Sequence, residues 1–125
     1  MKRRLLIIDD DEALVPAMAD FFSSHGFEVN CAWEAEEAVA MIRHYGFAVV
    51  ITDLELNSIE GLDGFSVLKA LRQFCPATRV IVYSGYADQP TVDACLNDGA
   101  AKFLAKPISL YELLACAEGL CPTHC

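Results

Sequence analysis

The sequence predicts an α/β domain, a single doubly wound parallel sheet of five strands with five helices on its two faces. Short apolar runs alternate with helix-period stretches along all 125 residues. Three of the runs, Leu5-Leu6-Ile7-Ile8, Ala48-Val49-Val50-Ile51 and Val80-Ile81-Val82-Tyr83, are continuous rather than alternating. That is how strands buried on both faces of a parallel sheet read. Strand–helix alternation of this kind closes through right-handed crossovers and leaves helices on both faces. The length suits one domain, and 54% hydrophobic against 22% charged residues supplies a core and excludes disorder as the main state.

Each element has its own signal. The first strand covers Leu5–Ile8 and stops at Asp9-Asp10-Asp11-Glu12. Asp10 or Asp11 suits the N-cap of a first helix whose apolar face carries Leu14, Met18 and Phe21. Pro16, with no N–H, should make that helix start late or bend. Gly26 ends it, and Phe27–Ala32 forms the second strand. Ala35, Ala38, Val39 and Ile42 mark the second helix, with Gly46 as its stop, and Ala48–Thr52 the third strand. Leu68, Leu71 and Cys75 mark the third helix, and Val80–Ser84 the fourth strand. Val92, Cys95 and Leu96 define the fourth helix, closed by Gly99, and Lys102–Ala105 the fifth strand. Ser109 caps a last helix bearing Leu110, Leu113, Leu114, Ala117 and Cys121. Residues 1–120 thus read as one unit, and 121–125 as a short tail.

Composition narrows the function. Eighteen acidic residues against nine basic give a net charge of −9, and the only basic run is Lys2-Arg3-Arg4. A nucleic-acid-binding face or an anionic membrane partner is therefore disfavoured. No window reaches the roughly 18 apolar residues of a membrane span, and the N-terminal apolar run is too brief for a signal peptide. A cytoplasmic protein is the default. The six cysteines, at 31, 75, 95, 116, 121 and 125, read mostly as small buried hydrophobes rather than a disulfide framework. Cys121-Pro122-Thr123-His124-Cys125 holds zinc-ligand types but lacks a second pair at finger spacing, so it reads as an oxidisable end.

Ligands of doubly wound sheets gather beyond the carboxyl ends of the strands. Those ends are Asp9-Asp10-Asp11, Cys31-Ala32, Thr52-Asp53, Tyr83-Ser84-Gly85 and Ala105-Lys106-Pro107. Carboxylates converging there would repel one another unless a cation intervened. Mg²⁺ suits the set, since it takes one or two carboxylates, waters and a phosphate oxygen. Lys106 then offers a point charge and Ser84 a hydroxyl to an anion beside the metal. Asp53, between the acidic run and Ser84/Lys106, is the candidate nucleophile toward phosphorus. Taken singly, these residues have plainer readings. Asp11 and Glu12 suit a helix N-terminus, Ser84 a strand-end turn and Lys106 a solvated charge. His25, His44 and His124 read as surface residues.

Ile7-Ile8-Asp9-Asp10-Asp11-Glu12, Asp53, Ser84-Gly85-Tyr86 and the stretch Gly99 to Pro107 (GAAKFLAKP) stand in an order and spacing that resembles the receiver domain of two-component response regulators. The resemblance covers essentially the whole chain and implies a flavodoxin-like fold with strand order 2-1-3-4-5. It implies further that Asp53 accepts a phosphoryl group from a sensor histidine kinase or phosphotransfer protein. Asp10 would bind Mg²⁺ directly, Asp9 through water, and Glu55 by its backbone carbonyl. Ser84 and Lys106 would hold phosphoryl oxygens, Ser84 and Phe103 would act as the switch pair, and the Lys106–Pro107 peptide would be cis. The output would be a changed face on the fourth helix, fifth strand and fifth helix, near Tyr86, Lys102, Phe103 and Tyr111, for a partner, an output domain or a second copy. Such a domain is a regulatory phospho-acceptor rather than an enzyme.

The chain departs from the pattern after Asp53. Asn57 stands where a Pro is usual, and Asp63-Gly64 arrives about three residues late. Lengthening a loop costs little, but this one borders the site, adds Ile59 and Glu60, and is expected to alter access of partner or water to Asp53. Glu55 and Tyr86 are further expected to influence the acyl-phosphate lifetime. Two other classes compete. A pseudo-receiver would keep the fold without phosphorylation. A haloacid-dehalogenase-type phosphohydrolase would need a second Asp where Glu55 stands. A flavodoxin is disfavoured because Asp9–Glu12 would repel FMN.

Overall fold

The computed structural model describes residues 3–121. In chain order the elements are β1 (Arg3–Ile8), α1 (Leu14–Ser24), β2 (Phe27–Ala32), α2 (Ala35–His44), β3 (Val49–Thr52), α3 (Gly64–Phe74), β4 (Arg79–Ser84), α4 (Gln89–Asn97), β5 (Lys102–Ala105) and α5 (Leu110–Leu120). All five strands are parallel, in the order β2-β1-β3-β4-β5. Register levels the carboxyl ends of β2, β1 and β3 at Ala32, Ile8 and Thr52; Thr52 faces Val82, so β4 and β5 run two residues further, to the facing pair Ser84 and Ala105. The residues that follow these positions therefore emerge along one edge.

Alternation along the strands divides the core in two. Leu6, Ile8, Val50, Val80 and Val82 pack under α2, α3 and α4 with Ile42, Leu68, Leu71 and Cys95. Leu5, Ile7, Val49, Ile51 and Ile81 pack under α1 and α5 with Val15, Met18, Phe22, Leu113 and Ala117. Full burial of a Leu, Ile or Phe side chain contributes about 1.5–3 kcal/mol, so the continuous apolar runs stabilise both layers at once.

Local details correct three expectations. In α1 the buried residues are Val15, Met18 and Phe22, whereas Leu14 and Phe21 are half-buried and Phe21 stacks edge-on against Tyr111 of α5 at 5.1 Å. The helix meets two surfaces, sheet and α5, and its wider apolar arc rotates the core stripe by one residue. Leu96 is 44% exposed and only Cys95 of α4 is fully buried, because α4 touches the core along a narrow line. Gly46 is not in a left-handed conformation; α2 ends instead as Tyr45 turns extended.

Other expectations stand. The first helix starts late, at Leu14, so Pro16 sits in its first turn, where its lacking N–H costs no helical bond. Gly26 and Gly99 take positive φ at 91° and 106° where helices end. Ser109 accepts the Glu112 N–H as N-cap of α5. The Lys106–Pro107 peptide is cis. Cys31, Cys75, Cys95 and Cys116 are free thiols. Among the described residues no helix is long and apolar enough to cross a membrane. The tail ligand set with His124 and Cys125 lies outside the described residues.

Candidate functional site

Three strand ends supply the centre of the site. Asp9 follows β1 and is anchored by its N–H on Ala32 O at 3.2 Å. Asp53 follows β3, its N–H on Ile8 O at 3.0 Å. Lys106 follows β5, its N–H on Ser84 O at 2.9 Å. From these positions the Lys106 ammonium donates to Asp9 Oδ2 and to Asp53 Oδ2, both at 2.9 Å. The ammonium also stands 5.1 Å from the Tyr83 ring centroid.

Burial decides what this triad means. Asp9 is 4% exposed, so its charge needs a partner. Burial works against the Lys106 ammonium, but the hydrogen bonds and negative charge of Asp53 and Asp9 outweigh it and hold its pKa above the ordinary lysine value. The other carboxylate oxygens are also committed. Asp9 Oδ1 accepts the Asp11 N–H at 3.0 Å, and Asp53 Oδ1 accepts the Leu54 N–H at 2.7 Å and the Glu55 N–H at 3.4 Å. Both side chains are thereby fixed in place with one oxygen turned to a cation.

The remaining residues fall around this centre. Asp10 is half-buried beside Asp9. Among the described residues no three His, Cys, Asp or Glu side chains form a ready-made metal cage, so Asp9, Asp10 and Asp53 do not converge as a closed trio. Two of them converge instead on Lys106, which screens their mutual repulsion. The donor set is nevertheless all hard oxygen, and it fits a cation such as Mg²⁺ that takes few carboxylates and completes its shell with water and phosphate oxygen. Ser84, buried at the end of β4, accepts the Tyr86 N–H at 3.2 Å. Phe103 is half-buried against the α2–α4 core layer, and Tyr86 and Tyr111 are exposed. The N-cap of α1 is Ala13 rather than Asp10 or Asp11, because the helix starts later; Asp11 Oδ1 instead takes the Leu14 and Ala13 N–H groups in the turn ahead of it, and these hold its carboxyl below the usual range.

Three supporting residues escaped sequence reasoning. Buried Thr52 donates its hydroxyl to Asp53 O at 2.8 Å. Tyr83 lies beneath Lys106, and its hydroxyl meets the Ile108 backbone at 3.4 Å. Gly64 donates its N–H to Leu54 O, and a Cβ there would come within 2.6 Å of Asp53 O and 2.7 Å of Leu54 Cα. Only the Asp-Gly pair opening a helix hinted at this, since Asp63 caps α3 in a capping box with Ser66.

The lengthened segment 53–63 does not stand free. Asn57 bridges Glu34 as a parallel β-bridge, and its carbonyl accepts the Ala35 N–H at 3.0 Å. Glu36, in the first turn of α2, accepts the Ser58 hydroxyl on one oxygen and the Ile59 N–H on the other at 2.9 Å. Ser58 Oγ in turn accepts the Leu62 N–H at 2.8 Å. Ile59 at the tip remains 89% exposed.

A doubly wound sheet of this strand order, with strand-end carboxylates gathered on one lysine, defines the CheY-like receiver class. The family profile of the response regulator receiver domain matches residues 5–118, and the chain belongs to that family. It is 36% identical to the photosynthetic apparatus regulatory protein RegA of Cereibacter sphaeroides, over 96% of this chain and 66% of that protein. It is 34% identical to the tetrathionate response regulatory protein TtrR of Salmonella typhimurium, over 90% of this chain and 53% of that protein. The chain thus spans about half to two thirds of the length of these relatives. Among solved structures it resembles a receiver domain from Methanospirillum hungatei, with TM-score 0.88 and 29% identity over 96% of this chain and 94% of that one. It also resembles a Burkholderia pseudomallei response regulator bearing a phosphorylated aspartic acid and a calcium ion, with TM-score 0.83 and 30% identity over 91% of this chain and 65% of that one.

Proposed function

We propose that residues 1–120 act as a phosphorylation switch in which Asp53 takes a phosphoryl group from a histidine kinase or a phosphotransfer protein. The observation that carries this reading is the single ammonium of Lys106 held 2.9 Å from both Asp9 and Asp53. It supports a site in which the candidate nucleophile, a second carboxylate and a cationic group meet at one strand edge. An Asp53 oxygen attacks the donor phosphorus; the P–N bond of the donor phosphohistidine breaks, its electron pair stays on the ring nitrogen, and a P–O bond forms. Bound Mg²⁺ would screen the repulsion between carboxylate and phosphoryl group. Asp9, Asp10, Asp53 and the Glu55 carbonyl are the groups that would hold it.

Lys106 exchanges its Asp53 contact for the new phosphoryl oxygens. Ser84 turns its hydroxyl from the Tyr86 N–H to the same anion. Phe103, on the strand beside Ser84, follows inward, and the face of α4, β5 and α5 changes for a partner, an output domain or a second copy. Exposed Tyr86 and Lys102 on or near that face suit such contacts, whereas Tyr111 lies at the α1–α5 seam against Phe21. The net charge of −9 supports an output that reaches nucleic acid, where it does so, through a separate domain or partner.

The test is intact-mass measurement after incubation with a small acyl phosphate and Mg²⁺. Wild type should gain one phosphoryl adduct, and Asp53→Asn none. Equal labelling of both would remove Asp53 from the role. No labelling of either, with Mg²⁺ still bound, would favour a non-phosphorylated scaffold.

A further inference from the structure

We propose that Glu36 of α2 is a positioning residue for the metal side of the site, acting through the lengthened loop. This rests on the reading of Asp53 and the Glu55 carbonyl as the groups that meet the cation. Among the described residues, Glu55 is tied to the site by its N–H, 3.4 Å from Asp53 Oδ1. Its carbonyl direction is set by where the chain goes next. Two residues on, Asn57 is stitched to β2–α2 through Glu34 and Ala35. One residue further, Glu36 clamps Ser58 and Ile59 with both carboxylate oxygens.

The clamp divides segment 53–63 into two short arcs. Leu56 packs against the α2–α4 core layer on one arc, and Ser58 Oγ ties Leu62 on the other, just before the Asp63 cap. Hydrogen bonds to an ionised carboxylate are stronger than neutral ones. The Ser58 hydroxyl accordingly holds the Glu36 carboxyl below the usual range. Without the clamp, the loop keeps the Asn57 stitch but loses its hold on α2 beyond it, and Glu55 samples directions that do not serve a cation. The insertion and Glu36 are thus a matched pair. The added residues would loosen the site, and the carboxylate from another element restores its order.

The test is direct Mg²⁺ titration by calorimetry, with no phosphodonor, on the full chain. Glu36→Ala and Ser58→Ala should each weaken Mg²⁺ binding, by roughly tenfold if the pair acts as an outer shell of the site. The double variant should be little worse than either single one. Amide exchange at Ile59 and Leu62 should rise in both. Glu60→Gln, which removes an exposed charge from the same loop, should leave affinity within about twofold.

Unchanged Mg²⁺ affinity in Glu36→Ala, despite faster Ile59 exchange, would overturn the proposal. So would an equal loss in Glu60→Gln, since bulk charge would then explain it, and so would a wild type that binds no Mg²⁺. A wild type that binds Mg²⁺ but takes no phosphoryl group would defeat the phosphorylation reading and leave the clamp to be judged on affinity alone.

Discussion

Two loops bring carboxylates to the same lysine, and they are built on opposite principles. Residues 9–13, between β1 and α1, satisfy themselves: Asp9 takes the Asp11 N–H, and Asp11 takes those of Ala13 and Leu14. Residues 53–63, between β3 and α3, borrow their order. Beside the bonds around Asp53 and between Ser58 and Leu62, their tip is held by Glu36 on α2 and Asn57 by Ala35, and their exit is wedged by Gly64 against the Asp53 backbone. A short loop can be held by its own side chains; a long one must be held by something else. The second loop is therefore the more sensitive to change at a distance.

The lysine that joins the loops should show the largest effect on stability. Lys106→Met leaves buried Asp9 uncompensated and is expected to cost about 2–4 kcal/mol in chemical unfolding without divalent cation. The raised Lys106 pKa also has a sign. Its contribution is complete below the ordinary lysine value of 10.5 and is lost as pH climbs through the higher folded value. Wild type should therefore shed stability at the alkaline edge, and Lys106→Met should lack that component.

Next comes the wedge. Gly64→Ala drives a Cβ into main-chain atoms at 2.6 and 2.7 Å, and neither can move as a side chain would. An overpacking cost of about 1–3 kcal/mol should appear as a lower melting temperature, together with slower labelling of Asp53. Loss of the α3 cap in Asp63→Ala should cost about 1 kcal/mol by the same melting measurement. The smallest effect is expected in the self-contained loop. Asp11→Ala removes two backbone bonds from an exposed carboxylate, so stability should fall slightly and Mg²⁺ affinity should hold. Since those bonds lower the Asp11 pKa, its contribution is present above 3.8 and disappears as pH falls through the folded value. A larger loss in Asp11→Ala than in Gly64→Ala would reverse the comparison.

The same contrast explains what the sequence revealed. Strands buried on both faces announce themselves, so β1, β3 and β4 and the strand-end residues Asp9, Asp53, Ser84 and Lys106 were legible. Local codes were legible too, as with Ser109, Gly26 and Gly99, whereas the cis bond at Pro107 was implied only by the family resemblance. Phe21 and Leu96 were misplaced because a helix that touches two surfaces, or only one narrow line, does not show a simple stripe. Glu36 was invisible for a different reason. It lies 22 residues from Ser58, and nothing in either segment names the other until the chain has folded.

The peptide of Lys106 is hydrogen-bonded to the peptide of Ser84, on the last rung of the ladder where Ser84 faces Ala105. Ammonium and hydroxyl thus ride on one stiff crossbar. If Ser84 and Lys106 grip a phosphoryl group as proposed, a shift of either strand end carries the other strand's backbone with it. The crossbar also makes that rung a built-in gauge. Solvent exchange of the Lys106 amide should report the play between β4 and β5, with no label placed near Asp53.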